Sequence, residues 1–346
     1  MISLLVINYR SAALAIEAIR SARAAAALTL EVVVVDNSVD RDEAEQLRPH
    51  CDQLLTPDKN LGYAGGINAG RAQCHGEVII VTNPDVVFGR RSIDELARTL
   101  QENDDVAVAG PALFWDDAFS WILPPSEAPT AATKFSAALA TRSKAYARVR
   151  DRRRIRRRID FWSRTSTMTT NAISGAVMAI RSRDFDRVSG FDERFPLYFE
   201  ENDFLRRITR AGRRIAYVPS ARVRHVYNQS AGADRDAPRR FAESETLFFS
   251  KWYGDVAARL LKRMERVPRI AEPPAINGAI QLPSLDVVIE ATPLATFETA
   301  AGHVPTTTKV ELPSEVWQSY LSPVLYLRVI DRQTARVIAT YARYRS

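Results

Sequence analysis

Glu31-Val32-Val33-Val34-Val35-Asp36-Asn37-Ser38 decides the fold. An unbroken run of β-branched residues reads as a strand buried on both faces, the pattern of a parallel sheet covered by helices on each side. The polar triplet Asp36-Asn37-Ser38 ends it. Upstream, Leu4 to Ile7 reads as a strand ending at Asn8-Tyr9; downstream, Val78 to Val81 reads as one ending at Thr82-Asn83-Pro84-Asp85. Between these strands lie an alanine-rich helix, Ala12 to Leu28, a short helix around Glu43 to Arg48, and the glycine-bearing segment Asn60 to Gly70. This alternation predicts an α/β fold with a mainly parallel sheet and right-handed crossovers. Ligands of such sheets sit beyond the carboxyl ends of the strands. Each polar strand end alone is also an ordinary turn or helix cap. Three together make a polar crevice of the kind that binds a sugar nucleotide.

Farther along, Ile173 to Ile180 reads as a strand, and Glu200-Glu201-Asn202-Asp203 opens a helix running to Gly212. A strand pair follows, Arg214 to Val218 and Ala221 to Val226, with His225 near its end, then a helix over roughly Arg239 to Trp252. Prolines 268, 273, 274 and 283 mark a linker, beyond which short alternating runs end in a hairpin around Asp331 to Thr334. The expected organisation is a domain over 1–267, including a basic helical segment at 133–164, and a small β-rich, sandwich-like accessory domain over 268–346.

The bulk composition fits a globular protein of two domains: 346 residues, 46% apolar and 26% charged. No apolar run approaches the roughly 18 residues of a membrane span, and Met1 leads directly into a strand with no signal-peptide pattern. The expected location is cytoplasmic. Cys51 and Cys74 lack the number for a disulfide framework and the spacing for zinc. The net charge of +7 is concentrated: Arg142 to Arg164 holds eleven basic residues against Asp151 and Asp160, a local +9. Apolar Phe135, Leu139, Tyr146, Val149, Ile155, Ile159 and Trp162 fit one helical stripe with arginines opposite. Two readings stand: a solvated face, or a peripheral contact with the inner face of the cell membrane, where each Lys or Arg contributes about 1 kcal/mol.

Six segments occur in order: Asn8-Tyr9-Arg10-Ser11, Val35-Asp36-Asn37-Ser38, Asn60-Leu61-Gly62-Tyr63-Ala64-Gly65-Gly66-Ile67-Asn68-Ala69-Gly70, Asn83-Pro84-Asp85-Val86, Gly190-Phe191-Asp192-Glu193-Arg194-Phe195, and Tyr198-Phe199-Glu200-Glu201-Asn202-Asp203. This series resembles the family 2 glycosyltransferases of GT-A fold, most closely the bacterial rhamnosyltransferase branch, over residues 2 to 255.

The resemblance implies a metal-dependent, inverting transfer of a sugar from a nucleoside diphosphate to an acceptor hydroxyl. The family's Asp-x-Asp motif is Asn83-Pro84-Asp85 here, so Asp85 becomes the principal ligand of Mg²⁺ or Mn²⁺, a Lewis acid for the diphosphate. Asn83 supplies orientation without charge. His225 is a candidate second ligand; the alternative is a buried histidine with its hydrogen bonds satisfied. The family base falls at Glu201, where aspartate is usual, with Glu200 and Asp203 as helpers; acids there also complement a helix N-terminus. Asp36, Asn37 and Asn60 are expected on base and ribose, and Asn8, at the first strand end, is a further donor-binding candidate. Gly62, Gly65 and Gly66 would let backbone approach the donor, and Asn68 would pin the loop or contact the diphosphate. Arg206 would face the phosphates or pair with an acid.

The rhamnosyl branch suggests L-rhamnose from dTDP-rhamnose. UDP-galactofuranose, UDP-hexoses and GDP-mannose are alternatives. The expected acceptor is a glycan, lipid-linked or part of a cell-wall or surface polysaccharide, and a homo-oligomer is open. Rival classes fare less well. A dinucleotide oxidoreductase would carry Gly-x-Gly-x-x-Gly after the first strand, and this chain does not. Nucleic-acid binding is not expected, because aromatics barely interleave with the arginines. A sugar-nucleotide-binding pseudoenzyme remains as the reading that the Asn83 and Glu201 departures would favour.

Overall fold

The computed structural model describes residues 1–225, 236–265, 270–319 and 322–345. In chain order the elements are β1 (Ile2–Asn8), α1 (Ala12–Ala25), β2 (Leu30–Asp36), α2 (Arg41–Leu47), β3 (Gln53–Leu55), α3 (Gly62–Arg71), β4 (Val78–Thr82) and β5 (Val86–Phe88). Next come α4 (Ser92–Glu102), β6 (Val106–Phe114), β7 (Trp121–Ile122), α5 (Ala131–Ala140), α6 (Lys144–Trp162), β8 (Met168–Thr170), β9 (Val177–Arg181) and α7 (Ser182–Arg187). The remainder is α8 (Glu200–Arg210), β10 (Arg214–His225), α9 (Ala237–Tyr253), α10 (Asp255–Met264), β11 (Ile280–Gln281), β12 (Val287–Thr292), β13 (Ala301–His303), β14 (Lys309–Val310), α11 (Ser314–Ser319), β15 (Val324–Asp331) and β16 (Val337–Tyr344).

The chain divides into two compact units, residues 1–113 with 126–128 and 165–252, and residues 114–125 with 129–164 and 253–346. In the first unit, β3, β2, β1 and β4 form a parallel ladder. The doubly buried reading of Val32 to Val35 holds, each side chain at 0% exposure. Beyond β4 the sheet turns antiparallel through β9 and then β6. Helix α3 packs close to the sheet at Gly70, where a Cβ would overlap Leu5 and come within 2.9 Å of Val35.

Two expectations change here. Residues 214–225 form one strand in place of a strand pair. Its first half pairs with β8 and its second with β5, with Pro219, which has no N–H to give a ladder, between the two pairings. Val226 lies outside the described residues. Strand β9 begins at Val177 because residues 173–176 leave the ladder, the Ser174 hydroxyl accepting from the Ala176 amide.

The second unit is an antiparallel sheet in the order β16, β15, β12, β13, β7, with α6 packed on it. The segment expected in the first domain, 133–164, groups with these strands. The reason is in its buried side: Ile155, Ile159 and Trp162 form a core with Val288, Ile330 and Ala335. Gly302 lies against the Trp162 indole, where any Cβ would overlap the ring. Arg154 and Arg158 are also buried, at 5% and 3% exposure. Arg158 pairs with Glu290 at 3.1 Å, which also pairs with Arg328 at 2.5 Å. Arg328 and Arg154 share Asp151, and Arg154 reaches Glu298 at 2.9 Å. The single expected stripe is broken at Ser143, whose hydroxyl caps α6. Phe135, at 54% exposure, lies on the separate helix α5.

Candidate functional site

The β5–β10 ladder assembles the centre of the site. Asp85 immediately precedes β5, and His225, the last residue of β10, lies in register with Val86. That register places His225 Nε2 3.4 Å from Asp85 Oδ1. Both residues are buried, and Asp85 Oδ1 has no hydrogen-bond partner among the described residues. Orphaned carboxylate oxygens are rare in interiors, and a bound ion or water is one way such an oxygen is satisfied.

Asn83, Pro84 and His225 line a cavity of about 440 Å³ within the first unit. Glu200 and Glu201 line it too, from the start of α8. The two residues before that helix, Tyr198 and Phe199, both hold left-handed backbone, φ +68° and +67°. Such strain in non-glycine residues persists only where surrounding packing enforces it, and it concentrates at functional sites. The Glu200 carboxyl is 5% exposed, and its Oε2 is unpartnered among the described residues. Burial, then the neighbouring Glu201 charge, pushes its pKa well above the usual carboxylate range. Burial likewise raises Glu201, whose Oε1 accepts from the Asn202 amide at 2.8 Å.

On the opposite wall, Asn37 donates to the Gly62 carbonyl at 2.9 Å and accepts from the Leu61 amide. Asn60 accepts from the Gly62 amide at 2.7 Å, and Gly62 itself has φ +73°. These contacts shape the loop that enters α3, and all three residues line the cavity.

Other expected site residues are engaged in structure. Asn8 is buried and donates to Asp36 and to Glu43, which also accepts from the Ala12 amide at the start of α1. Asp36 further accepts from the Ser38 hydroxyl and faces a neighbouring cleft of about 580 Å³ with Arg48 and Asp58. Asn68 spans to the Phe191 backbone and Glu193, so it pins the loop around Gly190. Asp203 accepts from Arg207, Lys251 and Trp252, tying α8 to α9. Arg206 lies over the Trp252 ring, 4.4 Å from its centroid. Gly65 and Gly66 are buried in α3, packed near Leu61 and Ile7.

Tyr63 and Arg240 are among the lining residues that were not singled out from sequence. Tyr63 donates to the Gly175 carbonyl at 2.8 Å, and Arg240 reaches the cavity from α9. Tyr63 stood inside a quoted motif. Arg240 carried no pattern of its own.

A mainly parallel sheet with helices on both faces, its polar strand ends opening on a cavity walled by a carboxylate pair, is the architecture of the GT-A fold. The chain belongs to the family described as "Glycosyltransferase like family 2", whose sequence model matches residues 1–246. It is 30% identical over 207 residues to the N-acetylglucosaminyl-diphospho-decaprenol L-rhamnosyltransferase of Mycobacterium tuberculosis, covering 53% of this chain and 61% of that protein. It is 32% identical over 112 residues to an uncharacterised glycosyltransferase of Nostoc, 31% of this chain and 35% of that one. A mannosyltransferase from Pyrobaculum calidifontis, solved with GDP-Man and Mn²⁺, aligns with TM-score 0.46 and 15% identity over 76% of this chain and 73% of its own. No helix among the described residues is long and apolar enough to cross a membrane.

The paired carboxyls give a testable signature. The fold raises the Glu200 pKa, so it favours the protonated acid. That contribution to stability is complete below the ordinary glutamate value near ~4.3 and is lost as pH rises from there through the raised value. Glu200→Gln, which keeps shape and removes charge, is therefore expected to raise Tm at pH 7.5 and to leave it nearly unchanged at pH 4. Equal shifts at both pH values, measured by calorimetry, would contradict a charge penalty at this position.

Proposed function

We propose that the chain is an inverting, metal-dependent glycosyltransferase that moves a sugar, L-rhamnose from dTDP-rhamnose as first choice, onto the hydroxyl of a lipid-linked or polysaccharide glycan. The observation that carries this reading is that His225, which stands beside an orphaned Asp85 oxygen, meets the buried Glu200 and the half-buried Glu201 at one cavity.

Asp85 and His225 fit Mg²⁺ or Mn²⁺ as two protein ligands. Among the described residues no cluster of three His, Cys, Asp or Glu could hold an ion alone. Ions that work on diphosphates commonly take their remaining positions from phosphate oxygens and water, and an imidazole suits Mn²⁺. Such an ion, when bound, neutralises charge that builds on the leaving diphosphate. In this reading Asn37, Asn60 and the Gly62 backbone hold the nucleoside side of the donor. Glu201 accepts the acceptor hydroxyl's proton as the new bond to the anomeric carbon forms, and its raised pKa brings it closer to that task. Transfer by one base, with no nucleophilic carboxylate required, corresponds to single displacement with inversion. The match to the mycobacterial rhamnosyltransferase supports the choice of donor and of a lipid-linked acceptor.

The test is calorimetric titration with dTDP-rhamnose, UDP-galactose, UDP-galactofuranose and GDP-mannose, each with Mn²⁺ and with EDTA. One donor is expected to bind only with metal, and Asp85→Ala should weaken it by about 10²-fold, the scale of several kcal/mol for a lost metal contact. Metal-independent binding of every donor, or of none, would overturn the reading. Binding without any turnover would favour the pseudoenzyme.

A further inference from the structure

Helix α6 carries two populations of basic residues with different surroundings. Arg154 and Arg158 point into the second unit and are consumed by Asp151, Glu290 and Glu298. Lys144, Arg148, Arg152, Arg153, Arg156 and Arg157 are all exposed. Four of these, Lys144, Arg148, Arg152 and Arg156, recur every fourth residue and so form one row along the helix. Of that row, Arg152 also donates to the Thr334 carbonyl. Asp151 on the same helix is committed to Arg154 and Arg328.

Like charges at this spacing repel each other and weaken a helix. The face is kept helical by the packing of Ile155, Ile159 and Trp162 on its other side. Like charge carried over about 20 Å of helix is a surface that a matching anionic plane would stabilise. The face also lacks the exposed aromatics that stack on single-stranded bases. Trp162 is buried, and Tyr146 is half-buried and hydrogen-bonded to Ser136.

We propose that the exposed face of α6 docks the protein on the anionic headgroups of a lipid bilayer. The inference rests on this face alone and does not depend on the donor-site reading, so either can fail without the other. It also separates the arginines that serve binding from those that serve folding. Altering every arginine between 152 and 158 would remove Arg154 and Arg158 as well, and lost binding would then report unfolding.

The experiment is flotation of the full chain with vesicles of phosphatidylcholine alone and of equal parts phosphatidylcholine and phosphatidylglycerol. The wild type is expected to float with the anionic vesicles, to remain behind with the neutral ones, and to be released by salt. The combined variant Lys144→Gln, Arg148→Gln, Arg153→Gln and Arg156→Gln is expected to keep its Tm and lose about 10²-fold or more in vesicle affinity. A single substitution, Arg153→Gln, should give a smaller loss in the same direction, which keeps the test readable if the combined variant folds poorly. The proposal is overturned if the wild type ignores anionic vesicles, if it binds neutral ones equally, if the variants bind like the wild type, or if single-stranded RNA competes the vesicles away at lower concentration.

Discussion

Glu201→Gln is expected to bind the nucleotide sugar as the wild type does and to transfer it about 10²- to 10⁴-fold more slowly, the range for loss of a general base. Glutamine keeps the reach and the hydrogen bond to Asn202 but cannot take a proton. The wild-type kcat should rise with pH along a limb lying above the usual carboxylate range, because burial raises both carboxyls of the pair. That limb belongs to Glu200 and Glu201 jointly, since close acids titrate as a unit. The variant should lose it. A pH–rate profile in which Glu201→Gln keeps both the limb and the rate would remove Glu201 from the chemistry. Loss of donor binding alone would reassign it to holding substrate.

Glu290→Ala is the second large effect, and it falls on the other unit. Glu290 is fully buried in β12 and bridges Arg158 and Arg328, neither more than 5% exposed. Removing the acid leaves two guanidiniums in a dry interior with part of their charge unanswered. Breaking a buried ion network in this way typically costs about 3–5 kcal/mol. Denaturant unfolding should show that loss, whereas Arg153→Ala, on the exposed face of α6, should stay within about 0.5 kcal/mol of wild type. A mild Glu290→Ala phenotype would mean that Asp151 and the carbonyls of residues 297 and 298 suffice for the arginines.

Much of the first unit was legible because its signals are local. Val32 to Val35 has no polar residue to face water, so a doubly covered strand is the reading that remains. The three polar strand ends did converge on one region, yet their division of labour was not visible. Asn8 and Asp36 are polar strand-end residues as Asn37 is, but those two are spent joining β1, β2 and α1, whereas Asn37 and Asn60 wall the cavity. That difference depends on which neighbour supplies the partner, here Glu43, and spacing does not encode it. The proximity of His225 to Asp85 required the β5–β10 register, a pairing across more than a hundred residues.

The arginine segment was harder for a physical reason. Ile155 and Ile159 repeat at helical spacing, but setting the arginines on the opposite face missed Arg154 and Arg158, which lie beside those isoleucines and are buried with them. The matching acid was also unassigned. Yet Glu290 lies in Val287-Val288-Ile289-Glu290-Ala291, an apolar strand in which a lone carboxylate must find a cation. Read together, the two segments announce each other.

The close fit between Gly302 and the Trp162 indole has an evolutionary consequence. As long as tryptophan stands at 162, position 302 cannot drift, since even alanine would displace the ring from the Val288 and Ile330 side chains beneath it. The two sites must therefore change as a pair. Among descendants of this chain, a side chain gained at 302 should be accompanied by a smaller residue at 162, and either change alone should be purged.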